Sequence, residues 1–152
     1  MVFVDKKLLF IVNPRAGKTK SRAPLFDAVS IFSDAGYLVR VAETRRQGDA
    51  ASFAARYGAE YDLVVCHGGD GTLSETVNGI MRLPREKRPP LSYLPGGSTN
   101  DFAASLSIPS EPAVAAQSAM RLLPRELDVG IFNRQSFVYV ASFGAFTRAS
   151  YT

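Results

Sequence analysis

The chain has one cysteine, Cys66, in 152 residues. An intrachain disulfide is therefore excluded, which fits a reducing compartment. No apolar run approaches the ~20 residues that span a bilayer. Contact with lipid is expected only at a membrane surface, for a protein that is cytoplasmic and peripheral to the membrane. There is one histidine, His67. It stands just before a glycine turn, where a local hydrogen-bonding role outweighs a catalytic one. Internal repeats and low-complexity segments are absent. The 18 basic and 14 acidic residues are interspersed and leave a net charge of +4. That is too mild and too scattered for a nucleic-acid stripe, so no nucleic-acid partner is expected. It does suit an anionic ligand or surface. With 46% hydrophobic and 21% charged residues the composition is that of an ordinary globular domain. Disorder is excluded as the default, and the length suffices for one domain with a real core.

What is present alternates. Leu8 to Val12 is a short apolar run that reads as a buried strand, ended by Asn13-Pro14. Ser21 to Ala35 reads as a helix, with Ser21 or Thr19 as cap, Pro24 in its first turn and Gly36 at its end. Further strands are expected at Tyr37 to Ala42, Leu63 to Cys66 and Leu91 to Leu94. Further helices are expected at 50–57, 72–82, 99–106 and 111–122. Leu127 to Phe132 and Ser136 to Phe143 read as a closing strand pair turning at Asn133-Arg134. This order predicts an α/β fold: three layers, a mainly parallel sheet with helices on both faces, and a final strand pair. Ligands of such folds sit beyond the carboxyl ends of the strands. Asn13, Thr44, Gly68 to Thr72 and Gly96 to Asp101 all fall there.

Gly68-Gly69-Asp70-Gly71-Thr72 follows a buried strand and opens a helix. Glycines let backbone N–H groups approach a ligand, and a helix N-terminus adds unsatisfied donors and partial positive charge. The combination suits phosphate. Asp70 is the odd member, since a carboxylate repels phosphate unless it holds a metal, orders water or takes a proton. The plainer reading is a tight turn with Asp70 as a cap. Asn13-Pro14-Arg15-Ala16-Gly17-Lys18 is a basic turn after the first strand. It is not a P-loop, because Val12 stands where that motif needs its first glycine. It can contact phosphate or be a solvated loop. Pro95-Gly96-Gly97-Ser98-Thr99 is a second glycine turn, in which Ser98 and Thr99 are candidate caps and hydroxyl donors. Cys66, at a strand end, reads as core. Arg82, Arg85, Lys87 and Arg88 read as a solvated loop, with an anionic membrane surface as the alternative.

The run Gly68-Gly69-Asp70-Gly71-Thr72 resembles the signature shared by diacylglycerol kinases, sphingosine kinases, NAD kinases and phosphofructokinases. Asn13-Pro14-Arg15-Ala16-Gly17 resembles the opening of the lipid-kinase branch. Thr44 ahead of Gly48-Asp49-Ala50, and Gly97-Ser98-Thr99-Asn100-Asp101-Phe102, resemble two further motifs of that branch. Asp128-Val129-Gly130, with Asn133 and Ser142-Phe143-Gly144, resembles the segment that closes its first domain. The motifs occur in order and cover nearly the whole chain. The resemblance is to the N-terminal nucleotide-binding domain of the diacylglycerol kinase catalytic family.

The resemblance implies an ATP-dependent lipid kinase that phosphorylates the hydroxyl of diacylglycerol or a related lipid. It implies ATP contacts at Asn13, Arg15, Gly17, Thr44, Gly68, Gly69, Asp70, Gly71, Thr72, Leu73, Ser98 and Asn100. It implies catalytic roles for Asp70 and Asp128, and a link from Asp101 through water to Mg²⁺. Residues 1–152 are expected to form a single nucleotide-binding domain. The family's general base is a glutamate of a second, β-rich domain, which this chain is expected to lack, so that alone it would turn over little. Apolar residues near the C-terminus, Ile131, Phe137, Val138, Phe143 and Phe146, are then expected to promote self-association into a homo-oligomer. The rival readings are an NAD kinase-like enzyme and a non-catalytic nucleotide-binding module.

Overall fold

The computed structural model describes residues 5–17 and 22–138. Ser21 and Thr19 as caps, Lys18, the far half of the last expected strand, the Ser142-Phe143-Gly144 motif and Phe146 all lie outside the described residues.

Four parallel strands form the central sheet: β1 (Lys6–Val12), β2 (Tyr37–Glu43), β3 (Leu63–Gly68) and β4 (Leu91–Pro95). Their order is β2-β1-β3-β4. β1 is central and apolar on both sides, because each face is covered. Leu8, Phe10 and Val12 pack with Ala28 and Phe32 of α1 (Ala23–Asp34) and with Ala115 and Ala116 of α5 (Pro112–Arg121). The Phe10 and Phe32 rings meet edge to face at 5.5 Å. Leu9 and Ile11 point the other way, against Ala50 and Ala54 of α2 (Asp49–Tyr57) and Ile80 of α3 (Asp70–Met81). These are the three layers the alternation predicts.

α2 and α3 lie close together because α3 carries Gly79 at their contact. A Cβ there would collide with the Ala51 carbonyl and come within 2.7 Å of the Ala54 methyl. A third cluster joins Cys66, Leu73 and Val77 to Tyr93 and to Phe102 of α4 (Asp101–Ser105). It packs the two glycine turns onto one hydrophobic base.

The closing pair is antiparallel: β5 (Gly130–Phe132), which starts later than expected, and β6 (Gln135–Phe137). Leu127 to Val129 stay irregular. Asn133 and Arg134 both have positive φ, 47° and 64°, as a two-residue hairpin turn with the right twist requires. Asn78 of α3 bonds the hairpin through both ends of its amide. Asn78 Nδ2 donates to the Ser136 carbonyl (2.8 Å), and the Ser136 N–H donates to Asn78 Oδ1 (2.7 Å). Val138 packs on the third cluster, while Ile131 stays 67% exposed. Leu122, Leu123, Leu127 and Phe132 are exposed beside it in sequence. Among the described residues, no helix is long and apolar enough to cross a membrane.

Candidate functional site

The order β2-β1-β3-β4 places a topological switch between β1 and β3, where the chain leaves the sheet in opposite directions. The turns after all four strands converge there. The Asn13 N–H donates to the His67 carbonyl (2.9 Å), and the Thr44 N–H donates to the Val12 carbonyl (2.8 Å). The Gly96 N–H donates to the Gly68 carbonyl (2.8 Å). Each turn is thus fixed to the end of its neighbouring strand.

The turns interlock through missing side chains. A Cβ on Gly97 would sit 2.6 Å from the Gly69 Cα, and one on Gly17 would sit 2.5 Å from the Gly96 carbonyl oxygen. A Cβ on Gly96 would strike the His67 imidazole, and one on Gly68 would strike the Thr72 side chain. These glycines serve packing between loops. Gly71 is different: nothing lies within 4 Å of where its Cβ would be, and its φ is not positive. Neither fold nor backbone asks for glycine at Gly71, which faces open space in the first turn of α3.

That space is a cleft of about 480 Å³. Asn13, Arg15 and Gly17 line it from the first turn, Thr44 to Gln47 from the second, Gly69 to Glu75 in part from the third, and Gly97 and Ser98 from the fourth. Asn13 Nδ2 donates to the Thr72 hydroxyl (3.1 Å), and Asn13 Oδ1 accepts the Arg15 N–H (3.0 Å). The side chain therefore shapes its own loop and ties it to α3. Three guanidinium-bearing residues, Arg15, Arg45 and Arg46, border the cleft; of these, Arg46 pairs with Asp49 at 3.5 Å. Asp49 also accepts the N–H groups of Arg45 and Arg46 (2.8 and 3.1 Å), which lower its pKa below the usual carboxylate value and fix the loop. The arrangement presents cations, hydroxyls and the donor end of a helix to one cavity, which suits a polyanion.

Residues 7–132 match the diacylglycerol kinase catalytic domain. The chain belongs to this family. It is 38% identical over 149 residues to the diacylglycerol kinase of Bacillus subtilis strain 168, covering 96% of this chain and 48% of that relative. It is 37% identical over 147 residues to a diacylglycerol kinase of Staphylococcus epidermidis strain RP62A, covering 96% and 46%. The crystal structure of a diacylglycerol kinase from Bacillus anthracis strain Sterne superposes with a TM-score of 0.79 at 35% identity, over 87% of this chain and 45% of that one. The chain spans about half the length of the relatives it matches.

Within this diacylglycerol kinase fold the expected site residues divide. Asn13, Arg15, Gly17, Thr44, Gly69, Gly71, Thr72 and Ser98 line the cleft. Gly68, Asp70, Leu73, Asn100, Asp101 and Asp128 do not. Leu73 is 2% exposed and belongs to the core beneath the turns. Asn100 adopts φ 51° and folds back, accepting the Gly97 N–H (2.8 Å) and donating to the Gly97 carbonyl (2.9 Å). It builds the turn. Asp128 is exposed in irregular chain.

Asp70 does cap a helix, but not its own. Its carboxylate accepts the N–H groups of Asp101 (3.1 Å) and Phe102 (3.3 Å) at the start of α4. Ser98 and Thr99 are therefore not the caps of that helix; Asn100 stands at its N-cap without a side-chain cap of its own. α3 starts at Asp70 rather than Thr72, so Gly71 is helical. His67 donates through Nδ1 to the Leu94 carbonyl (3.1 Å), and burial lowers its pKa, leaving a neutral imidazole wedged against Gly96. Burial pushes the Cys66 thiol up to about 12. Tyr93 is shifted upward by burial and then by Asp70, and its hydroxyl donates to the Gly68 carbonyl (2.8 Å).

The sequence reading missed Arg45, Arg46, Gln47 and Glu75. The first three follow Thr44 in the turn after β2, and the rule that selected Thr44 extends to them. Glu75 lies one helical turn after Gly71 and Thr72 on α3, a spacing that puts it on the same face.

Proposed function

We propose that the chain is the nucleotide-binding part of a lipid kinase that moves the γ-phosphoryl group of ATP to the hydroxyl of diacylglycerol or a related lipid. The observation that carries this reading is Gly71: a helical glycine with no neighbour, at the mouth of a basic cleft. The phosphates would rest on the donors of the first turn of α3, with Arg15 and Arg45 neutralising their charge and Thr44 and Ser98 offering hydroxyls. In the transfer the lipid hydroxyl oxygen bonds to the γ-phosphorus, the bond to the β–γ bridging oxygen breaks, and ADP leaves. The hydroxyl proton passes to a base. Asp70, between the lining residues Gly69 and Gly71, and Asp128 keep the catalytic roles that the family resemblance implies.

Among the described residues no group of three or more His, Cys, Asp or Glu side chains could hold a metal ion. Mg²⁺ fits this site only as an ion carried by the phosphates, as is usual for nucleotide enzymes. Bound there it would spread the charge of the transferring group. Glu75 is the carboxylate that lines the cleft, and Asp70, whose carboxylate meets the Asp101 N–H, stands between the lining residues Gly69 and Gly71; these and Asp101 are the carboxylates available to its water shell. The names of the relatives, diacylglycerol kinases, support a lipid acceptor met at a membrane surface. Because the chain spans about half of each relative, we expect ATP binding without efficient turnover from these residues alone.

Calorimetry with ATP and Mg²⁺ tests the reading. Binding that Gly71→Val abolishes, with the fold intact by circular dichroism, supports it. No binding at millimolar ATP removes it.

A further inference from the structure

One core side chain on β4 meets both glycine turns from beneath. Tyr93 is 4% exposed, and its hydroxyl donates to the Gly68 carbonyl, at the start of the first turn, at 2.8 Å. The same hydroxyl lies 3.3 Å from Oδ1 of Asn100, the residue that builds the second turn by accepting the Gly97 N–H at 2.8 Å. The ring packs with Cys66, Leu73, Val77 and Phe102. Burial, and then Asp70, favours the protonated phenol, so the group stays a donor.

The hydroxyl is not needed to satisfy its partners. The Gly68 carbonyl already accepts the Gly96 N–H, and Asn100 Oδ1 already accepts the Gly97 N–H. A plain benzyl ring would fill nearly the same space and leave neither acceptor alone, and it would bury no polar group. Packing and hydrogen-bond satisfaction therefore give no reason for a phenol here. What the hydroxyl adds is position. The turns touch backbone to backbone, since a Cβ on Gly97 would sit 2.6 Å from the Gly69 Cα. Such a contact has no interdigitating side chains to set how far one turn slides along the other. Gly69 and Gly71 line the cleft from the first turn, Gly97 and Ser98 from the second. A slide would shift the donors at the start of α3 against Ser98, and recognition by fixed donors tolerates only about 0.5 Å of misplacement.

We propose that Tyr93 is a positioning residue, whose hydroxyl fixes the two glycine turns relative to each other so that both meet the phosphates of one ligand. This rests on the nucleotide reading of the cleft and adds to it a residue that does not line the cleft and acts through Gly68 and Asn100.

The test is Tyr93→Phe in the whole chain. It is read by thermal melting, by calorimetry with Mg²⁺ and either ATP or inorganic tripolyphosphate, and by amide NMR. Because no acceptor is orphaned, the variant should melt within about 4 °C of the native chain. Its affinities for ATP and for tripolyphosphate should fall together by about fivefold or more, the scale of one hydrogen bond. The amide signals of Gly69, Gly71 and Gly97 should shift or broaden while those of β1 and α2 hold still. A variant that melts lower but binds both probes like the native chain has lost a merely structural hydroxyl, which overturns the role of Tyr93 and leaves the nucleotide reading standing. A loss for ATP alone overturns it too, because the effect would then lie at the nucleoside. A native chain that binds neither ATP nor tripolyphosphate overturns both.

Discussion

The Asp70 carboxylate lies 3.1 Å from the Asp101 N–H and 3.3 Å from that of Phe102, so the acid of the first glycine turn caps the helix that follows the second. An acid amid phosphate-binding glycines is awkward as long as it is pictured pointing at the ligand. Turned onto α4, it satisfies two orphan donors and complements the positive end of that helix.

Asp70→Ala should then destabilise the chain by about 1 kcal/mol, the usual loss for a cap. In a domain of this size that is about 2–4 °C in Tm. Asp70→Asn keeps one acceptor oxygen and should recover part of the loss. Thermal melts of both variants measure the cap, and ATP titrations of the same samples measure any further role. If Asp70→Asn melts like the native chain but loses ATP affinity, the carboxylate acts on the ligand through its charge. If Asp70→Ala melts unchanged, the cap contributes nothing.

The glycines make opposite predictions. Gly71→Ala places a methyl in open space within a helix and should leave stability unchanged or raise it by up to about 1 kcal/mol. It should weaken ATP binding at least tenfold if the phosphates approach that backbone. Gly97→Ala drives a methyl to 2.6 Å from the Gly69 Cα and 3.0 Å from Asn100 Oδ1, and should cost about 1–3 kcal/mol. Melting and titration of the pair separate ligand glycines from packing glycines. Equal stability losses in both would show that the distinction drawn from the contacts is wrong.

That distinction marks where the sequence stopped being legible. Alternation of short apolar runs with helical segments gave the layers and the parallel sheet, because a strand covered on both faces must be apolar throughout, as Leu8 to Val12 is. The same pattern pointed to the strand ends, where the cleft lies. It could not tell which glycine faces the open cleft, because Gly17, Gly96 and Gly97 are dictated by contacts between segments distant in sequence. Asn100 and Leu73 belong to the motifs for the same reason: one folds the turn and the other anchors it. The docking of the hairpin was not legible either, because it uses a side chain of α3, Asn78, that no alternation reveals.

His67 gives a pH prediction. Its folded pKa lies below the unfolded value of 6.5 because burial disfavours the imidazolium. Between the two values the unfolded chain binds more protons, so stability is complete above pH 6.5 and declines as pH falls through the folded pKa. As His67 is the sole histidine, the decline beginning near pH 6.5 belongs to it. His67→Asn, with an amide donor near the position of Nδ1, should be less stable at neutral pH but flat between pH 7 and 5. Urea midpoints at several pH values check this, and an unchanged slope in the variant would refute it.

Leu122, Leu123 and Leu127 are 73%, 87% and 50% exposed, and Ile131 lies close by in sequence at 67%. Such a concentration favours association. We expect light scattering to show self-association that grows with concentration and is reduced by Leu123→Ser with Leu127→Ser. A monomer at every concentration that also binds no apolar dye would sink the expectation.

Asn78 offers the most local test. Its amide exchanges two hydrogen bonds with the Ser136 backbone and donates a third to the Ser74 carbonyl at 2.8 Å. Ser136 is 8% exposed, so water cannot readily replace the lost partner. Asn78→Ala should cost about 1–3 kcal/mol through the unpaired groups. The loss should concentrate in the hairpin, because among the described residues β5 and β6 pair only with each other. Hydrogen exchange at the Ser136 amide should quicken at least tenfold while amides of β1 and β3 keep their protection. The consequence for function runs along α3, which carries Gly71, Thr72 and Glu75 at the cleft and Asn78 on the hairpin side. If α3 is held rigidly by Gly79 against α2, as their close contact argues, ATP affinity should survive the release of the hairpin. A parallel loss of ATP binding would mean instead that the hairpin sets the position of α3 and so belongs to the nucleotide site.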